Sequence, residues 1–149
     1  MNRQNLKRLK NLHREYTRSK HPDMPEHFLP NKTWNDNGAN ALTRCVIDFL
    51  NFSGWQAERI SNTGRFIRDK NSRQGGYFIR GTGTNGTADI SATIKGRAVK
   101  IEIKYGKDKQ SEAQKTYQEM IERAGGVYVI VRNFDEFVEW YDNFLNSIA

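Results

Sequence analysis

Two short runs of alternating residues, joined by a two-residue link, constrain this chain more than any other feature. The runs are residues 87–94 and 97–104, and only Lys95 and Gly96 separate them. Two β-patterned runs around a short link that contains glycine predict a β-hairpin. Such a tight turn also fixes which residues of the two strands face each other. One face of the predicted hairpin is apolar and the other is polar.

The polar face of this hairpin brings two acids together beside a lysine. Asp89 is predicted to lie directly opposite Glu102, whereas Ile90 faces Ile101 on the apolar side. Directly opposed side chains have Cβ atoms roughly 4.5–5.5 Å apart, so two carboxylates there repel each other without a counter-charge. Lys104 shares their face because strand side chains alternate with period two. This combination suggests a divalent metal ion with a lysine that handles water.

The alternative interpretation of the polar face is a solvated sheet surface with an exposed ion pair, which stabilises little. Three features favour a site: the acids need a counter-charge, a glycine-rich segment ends beside them, and the next helix begins nearby. Gln114 lies in the first turn of that helix. It also completes the pattern Ser111-x-x-Gln114 of a capping box, so its position has a structural explanation too.

The glycine-rich segment Gly81-x-Gly83-x-x-Gly86 matches the dinucleotide-binding fingerprint letter by letter. That fingerprint requires a helix directly afterwards, whose N-terminus binds the pyrophosphate. The residues that follow alternate and are β-branched instead, so we expect no organic cofactor. The glycines are interpreted as a close approach of the loop backbone to a ligand, or as a tight turn into the Asp89 strand.

Composition predicts one soluble domain with a basic surface. The chain has 149 residues, and no apolar run approaches the ~20 residues of a membrane span, so no membrane partner is expected. The single cysteine, Cys45, excludes an internal disulfide and fits a reducing, cytoplasmic compartment. The net charge of +7 suggests a polyanionic partner, most commonly nucleic acid. A generic basic surface is the alternative.

The order of patterns predicts a basic N-terminal arm, residues 1–35, followed by one domain, residues 36–149. Seven basic residues and one acid occupy the first 20 positions of the arm. The predicted elements of the domain are a helix at 37–54, a strand at 55–60, a loop at 62–76, a short strand at 77–80, the hairpin, a helix at 111–125, a buried strand at 127–131 and a helix at 134–145. This order predicts an α/β fold with a mixed β-sheet flanked by helices.

The hairpin and the helix after it resemble the PD-(D/E)XK nuclease superfamily, and within it the small stand-alone VRR-NUC type related to Holliday-junction resolvases. Three motifs carry the resemblance: Gly86-Thr-Ala-Asp89, Ile101-Glu102-Ile103-Lys104 and Ser111-x-x-Gln114. It extends from about residue 39 to residue 145. The resemblance implies a restriction-endonuclease-like fold and a Mg²⁺- or Mn²⁺-dependent endonuclease that hydrolyses phosphodiester bonds of branched or flapped DNA.

The resemblance also implies a role for each residue of the cluster. Asp89 and Glu102 would bind the metal ion, together with the backbone carbonyl of Ile103. Lys104 would orient or deprotonate the attacking water and stabilise charge. Gln114 would support the site from its helix. Oxygen ligands of this kind suit Mg²⁺, which takes few carboxylates and keeps several waters.

The chain departs from this family on its first helix, where a glutamate usually completes the metal site. No acid lies between Asp36 and Asp48, and Asn40 is the candidate for the position. An amide ligates through its oxygen but brings no charge. Weaker metal binding, a site of two carboxylates and loss of catalysis all stay open here. The last outcome makes a non-catalytic DNA-binding module the alternative function, and a protein-binding adaptor that uses the arm is a third.

Phosphate contacts dominate the affinity of most DNA-binding proteins, so we expect basic and polar residues near the site to bind the backbone. The candidates are Arg59, Asn62, Arg65, Arg68 and Lys107. The basic arm is expected to wrap DNA or a partner subunit, and a homodimer would suit a symmetric junction, which presents two cuts. The expected location is intracellular and nucleoid-associated. Repair, phage replication, mobile-element defence and restriction all stay open as pathways.

Overall fold

A computed structural model describes residues 1–61, 64–79 and 83–149, apart from the side chain of residue 65. Its elements in chain order are α1 (Arg3–Lys20), a 3-10 turn (Glu26–Phe28), α2 (Ala39–Phe52), β1 (Gln56–Arg59), β2 (Arg65–Arg68), β3 (Gly76–Ile79), β4 (Ile90–Ile94), β5 (Arg97–Ile103), α3 (Glu112–Arg123), β6 (Val127–Val131) and α4 (Phe134–Ser147). None of the helices in this part of the chain is long and apolar enough to cross a bilayer.

Four of the strands form one mixed sheet in the order β1-β4-β5-β6. The β1–β4 and β4–β5 pairs are antiparallel, whereas β5 and β6 are parallel. Helices α2 and α4 pack against one face, and α3 lies on the other face against β6. The mixed α/β sheet with flanking helices is therefore confirmed, and its restriction-endonuclease-like character stays a prediction.

The predicted hairpin has the expected pairing. Ile94 faces Arg97 and Ile90 faces Ile101, as the two-residue turn requires. Lys95 has φ 46° and Gly96 has φ 74°, so both turn residues adopt the left-handed backbone that tight hairpin turns use. The first strand is shorter than expected, since β4 begins at Ile90.

The hydrophobic core lies between the apolar face of the sheet and helices α2 and α4. Ile90 and Ile101 of the hairpin are completely buried there, together with Phe49 of α2 and Phe137 of α4. Burying each such side chain stabilises the fold by about 1.5–3 kcal/mol. The core therefore holds the apolar face of the hairpin inward and directs its polar face toward α3.

The N-terminal helix differs from the appended arm that we expected. Helix α1 packs on α2 and α4, and its Leu9 is completely buried in the same core. Arg8 donates two hydrogen bonds, of 2.7 and 2.8 Å, to the carboxylate of Asp142. The side chain of Asn5 donates to Asp135 at 2.7 Å. Acids of α4 thus bond to the polar face of α1. Residues 1–35 therefore share the hydrophobic core of residues 36–149 and do not extend from it as a separate arm.

A second difference concerns residues 62–76, which were predicted to be a loop. Residues 65–68 form β2, which pairs antiparallel with β3, and Phe66 faces Phe78. The four-residue run Arg-Phe-Ile-Arg is too short for a clear alternating pattern and is surrounded by glycine, asparagine and arginine. We call β2, β3 and their connecting turn the ribbon. Among the described side chains, none of the ribbon belongs to the hydrophobic core.

Candidate active site

Glu102 and Lys104 are the only charged residues that are buried among the described side chains, with exposed fractions of 2% and 8%. Glu102 lies near the end of β5 and Lys104 directly after it, on the sheet face opposite the core. Burying a charge costs several kcal/mol unless a partner compensates it. Lys104 Nζ lies 2.9 Å from Glu102 Oε1, so the two charges compensate each other. Apolar residues would often fill such a space equally well, so stability alone does not account for this buried pair.

Gln114 connects this pair to helix α3. Its side-chain nitrogen donates a hydrogen bond to Glu102 Oε1, and its side-chain oxygen accepts from Lys104 Nζ at 2.9 Å. The same oxygen accepts from the backbone N–H of Ser111 at 2.9 Å, and the Ser111 hydroxyl accepts from the backbone N–H of Gln114. Gln114 is thus both the capping-box residue and a member of the cluster. One side chain fixes the start of α3 relative to the end of β5.

Asp89 completes the cluster from the strand next to β5. Its Oδ2 accepts a hydrogen bond from the backbone N–H of Ile103 at 2.8 Å, and its carbonyl accepts from the N–H of Ile60 at 2.8 Å. Asp89 is half-buried, and Oδ1 has no hydrogen-bond donor among the residues that the structure describes. Ile103 therefore contacts the cluster through its N–H. The metal-binding role of its carbonyl stays a prediction.

The pKa of Glu102 reflects its burial, its bond to Lys104 and the nearby charge of Asp89. Burial raises the pKa of Glu102, the hydrogen bond from Lys104 lowers it, and the negative charge of Asp89 raises it again. The pKa of Glu102 is raised overall. Burial is the main cause of this shift, and a positive charge beside the carboxylates would oppose it.

Tyr128 is a member of the cluster that the sequence analysis missed. Its hydroxyl donates a long hydrogen bond of 3.4 Å to Glu102 Oε2. Burial raises the pKa of Tyr128 well above its ordinary value, so the hydroxyl stays protonated and remains a donor. A signal was available, because Tyr128 carries the only polar side chain in the apolar run 127–131.

Gly86 places the chain before Asp89 against the start of α3. Its φ is 79°, and a Cβ there would lie 2.2 Å from the carbonyl oxygen of Ala113 and 2.7 Å from the nitrogen of Gln114. A residue with a side chain therefore does not fit. Gly86 approaches the helix that carries Gln114, and the expected approach of the glycine segment to a ligand stays a prediction. Gly81 lies outside the described residues.

An open cleft of about 570 Å³ lies beside Asp89. Its lining includes Asn40, Arg59, Ser61 and Thr87. Arg59 Nη2 donates a hydrogen bond of 2.9 Å to the side-chain oxygen of Asn40. Asn40 thus reaches the cleft as its assigned position implies, but the oxygen that would ligate a metal is bound to an arginine.

The candidate phosphate-binding residues do not lie together in the structure. Arg59 lines the cleft, and Arg68 is exposed on the ribbon. Lys107 is exposed in the turn after β5. Asn62 and the side chain of Arg65 lie outside the described part of the structure. Of the candidates whose side chains are described, Arg59 alone lines the cleft beside Asp89.

The donor set of the cluster fits a cation that takes few protein ligands. Asp89 Oδ1 is available, and Glu102 Oε2 has the long bond to Tyr128 as its hydrogen bond. Within residues 1–61, 64–79 and 83–149, no group of three or more His, Cys, Asp or Glu residues is arranged to hold a metal ion. Mg²⁺ is nevertheless commonly held by one or two carboxylates, with water and substrate phosphate as its other ligands.

Three properties together define what this arrangement can do. It offers two carboxylates that influence each other, an ammonium group fixed between two oxygen acceptors, and an open cleft with an arginine on its edge. These groups suit the binding of a cation and an anionic substrate side by side. Compared with known proteins, the chain matches no family model, and no curated protein matches its sequence.

Proposed function

We propose that this protein is a Mg²⁺- or Mn²⁺-dependent nuclease that hydrolyses phosphodiester bonds at the cluster of Asp89, Glu102 and Lys104. The observation that carries the proposal is the buried Lys104–Glu102 pair, bonded to Gln114 and adjacent to a half-buried acid on an open cleft. The net charge of +7 supports a polyanionic substrate. The preference for branched or flapped DNA, and a homodimer to cut it, follow from the resemblance of the motifs.

Asp89 and Glu102 would hold the metal ion, each through the carboxylate oxygen that is less engaged by the protein. A bound Mg²⁺ polarises a phosphoryl oxygen and lowers the pKa of a coordinated water. Lys104 has three N–H donors, of which Glu102 and Gln114 accept two. The third is available to a water molecule or a phosphate oxygen. Gln114 keeps the ammonium group at this position.

Arg59 would bind the phosphate backbone at the edge of the cleft. Its guanidinium has five N–H donors, and the hydrogen bond that the structure describes, to Asn40, uses one of them. The remaining donors suit the paired oxygens of a phosphate group. The bond to Asn40 also orients the arginine, so less side-chain freedom is lost when substrate binds.

Cleavage of labelled DNA tests the proposal. The substrates are a four-way junction, a flap and a duplex, each incubated with Mg²⁺ or Mn²⁺. We expect Lys104→Ala and Asp89→Asn to lower the cleavage rate by roughly 100-fold or more, the size of effect seen when a positioned proton-transfer group is removed. Circular dichroism and thermal unfolding establish that each variant is folded.

Lys100→Ala is the matched control for this experiment. Lys100 lies on the same strand face as Glu102, but its ammonium group donates to the Ser91 hydroxyl at 2.6 Å and not to the cluster. We expect Lys100→Ala to keep most of the wild-type rate. Equal cleavage by wild type, Lys104→Ala and Asp89→Asn would assign the activity to a contaminant and contradict the proposal.

A specific contact favours a second candidate function, a non-catalytic DNA-binding module. The side-chain oxygen of Asn40 accepts a hydrogen bond from Arg59. A guanidinium group therefore lies beside the position where the family usually has a third acid. This candidate predicts salt-sensitive DNA binding without cleavage under any divalent ion. Calorimetry separates the two, because the nuclease requires Mn²⁺ binding that Asp89→Asn weakens. Absence of heat at millimolar Mn²⁺ would favour the module.

A further inference from the structure

The ribbon concentrates exposed apolar side chains. Phe66, Tyr77, Phe78 and Ile79 are 54%, 55%, 63% and 45% exposed, and they are half of the exposed large hydrophobic residues in the described chain. Eight strand residues therefore carry as many of these side chains as all other described residues together. Such a concentration of exposed apolar side chains is typical of an interaction site.

Two of these rings are held on one face of the ribbon. Phe66 and Phe78 are directly opposed, so their side chains share a face. A Cβ on Gly76 would lie 2.7 Å from the ring of Phe66, and a Cβ on Gly64 would lie 2.3 Å from the ring of Phe78. Each ring thus lies against a glycine of the opposite strand segment. The rings are positioned by the backbone and remain open to solvent on their outer side.

The ribbon is attached to the chain at the cleft. The chain leaves the cleft lining at Ser61 and returns to it at Thr87, and the ribbon lies between these two residues. This connection places the aromatic face next to the proposed catalytic cluster along the chain.

The charge of the ribbon identifies the chemistry of its partner. Arg68, Lys70 and Arg73 are exposed, and none of them forms an ion pair among the described residues. Asp69 is the only acid in residues 64–79, and its carboxylate accepts a hydrogen bond from the N–H of Asn71 at 2.9 Å. Unpaired basic residues next to exposed aromatic rings complement phosphates and bases, whereas an apolar groove of a protein would leave these charges unpaired.

We propose that the ribbon is a stacking platform that binds unpaired bases of a nucleic acid beside the cleft. Phe66 and Phe78 stack on the bases, and the basic residues of the ribbon contact the neighbouring phosphates. The inference rests on the proposed function and narrows its substrate class to strands with unstacked bases near the scissile phosphate, such as flaps and branch points. Bases inside a continuous duplex are stacked on each other and do not offer their faces.

Binding measured without catalysis tests the platform. Fluorescence anisotropy in EDTA gives the affinity for a single-stranded oligonucleotide, a flap and a blunt duplex. The double variant Phe66→Leu, Phe78→Leu keeps apolar bulk and removes both rings. We expect it to bind the single strand and the flap at least about tenfold more weakly, since each stacked base contributes roughly 5- to 150-fold in affinity. Duplex affinity should change less than twofold.

Met120→Leu is the control, because Met120 is 47% exposed on α3 and lies outside both the ribbon and residues 1–35. We expect it to leave all three affinities unchanged. Unchanged single-strand affinity in the double variant would overturn the inference, as would an equal loss for duplex and single strand. Sedimentation at the same protein concentration provides a further test. Self-association that a Phe66→Ser, Phe78→Ser variant abolishes would identify a second copy of the chain as the occupant and also overturn it.

The outcomes separate this inference from the proposed nuclease. Ring-dependent binding by a wild-type protein that never cleaves would support the platform and contradict the nuclease. Cleavage by the wild type, with equal binding by the double variant, would support the nuclease and contradict the platform.

Discussion

In most proteins charged side chains are exposed and large apolar side chains are buried. The polar cluster at the end of β5 and the ribbon both depart from this distribution, each in the opposite sense. The cluster places Glu102 and Lys104 inside the molecule, whereas the ribbon places Phe66 and Phe78 in solvent. The charges of the cluster are fixed by hydrogen bonds to one another and to α3. The ribbon belongs to no core. The fold thus holds one group of charges in place by hydrogen bonds and leaves a second group of side chains, the aromatic ones, accessible to solvent.

The largest effect should come from breaking the buried pair. Glu102→Ala removes the oxygen acceptor that Lys104 Nζ and the Gln114 side chain share and leaves two buried donors without this partner, so we expect the free energy of unfolding to fall by about 3–5 kcal/mol. Denaturation with urea measures the change. Lys100→Ala, on the same strand face, should cost far less. A loss below about 1 kcal/mol in Glu102→Ala would show that solvent reaches the cluster. The cluster would then no longer contrast with the exposed ribbon.

Gly86→Ala should give the next largest effect, because the added methyl group meets the backbone of α3. The left-handed backbone costs about 1–2 kcal/mol by itself, and displacement of α3 adds to it. Gly54→Ala provides the control, since Gly54 has φ 87° but no atom within 4 Å of an added Cβ. We expect cleavage to fall in Gly86→Ala and to persist in Gly54→Ala. Similar cleavage by both variants would contradict a link between this contact and the cluster.

Acid titration should separate the buried cluster from another carboxyl group of the fold. The pKa of Asp36 is lowered and that of Glu102 is raised, so their contributions to stability should change in opposite directions with pH. Burial raises the pKa of Asp36, but hydrogen bonds from the Met1 amino group and the Phe134 N–H lower it overall. Its stabilisation is therefore present above about pH 3.8 and is lost as the pH falls through the folded value. Glu102 has a raised pKa, so its contribution is present below about pH 4.5 and is lost as the pH rises.

Free energies of unfolding for Asp36→Asn and Glu102→Gln, measured in steps of pH without metal, test these signs. The stability difference between wild type and Asp36→Asn should shrink below about pH 4. Wild type should lose stability relative to Glu102→Gln as the pH increases from about 4.5. At neutral pH we expect Asp36→Asn to cost about 1–3 kcal/mol, since the N–H of Phe134 loses a charged acceptor. Parallel profiles for the two variants would contradict the assignment.

The smallest stability effect should come from the ribbon. Phe66→Ser and Phe78→Ser remove an exposed cross-strand pair, so we expect each to lower the free energy of unfolding by less than about 1 kcal/mol. Thermal unfolding against wild type measures this. A loss above about 2 kcal/mol would show that the rings support the fold, and the contrast with the buried cluster would disappear.

The hairpin and its acids could be predicted because their arrangement is local. Two turn residues fix the pairing of β4 with β5. Alternation continued beyond the paired residues predicts that Asp89, Glu102 and Lys104 share one face. The double role of Gln114 also follows from local spacing. The bond between Arg59 and Asn40 could not be predicted in this way, since it joins residues 19 positions apart through the packing of β1 and α2.

The N-terminal helix and β2 show two further limits of sequence patterns. Leu6, Leu9 and Leu12 lie at helical spacing, but the complete burial of Leu9 depends on the packing of α1 against α2 and α4, which the local pattern does not contain. The pattern of β2 is too short to distinguish a strand from a loop. The partners of α1 are α2 and α4, which lie far along the chain. The partner of β2 is β3, which follows an irregular turn.

The turn at Lys95 and Gly96 restricts how the length of this chain can change over evolutionary time. Side-chain identities at the turn can vary as long as both positions accept a left-handed backbone. An insertion or deletion of one residue, in contrast, would exchange the two faces of β5 relative to β4. Glu102 would then enter the hydrophobic core, and Ile101 would lie under α3. Relatives that share the site should therefore keep the number of residues here, even where they keep none of their identities.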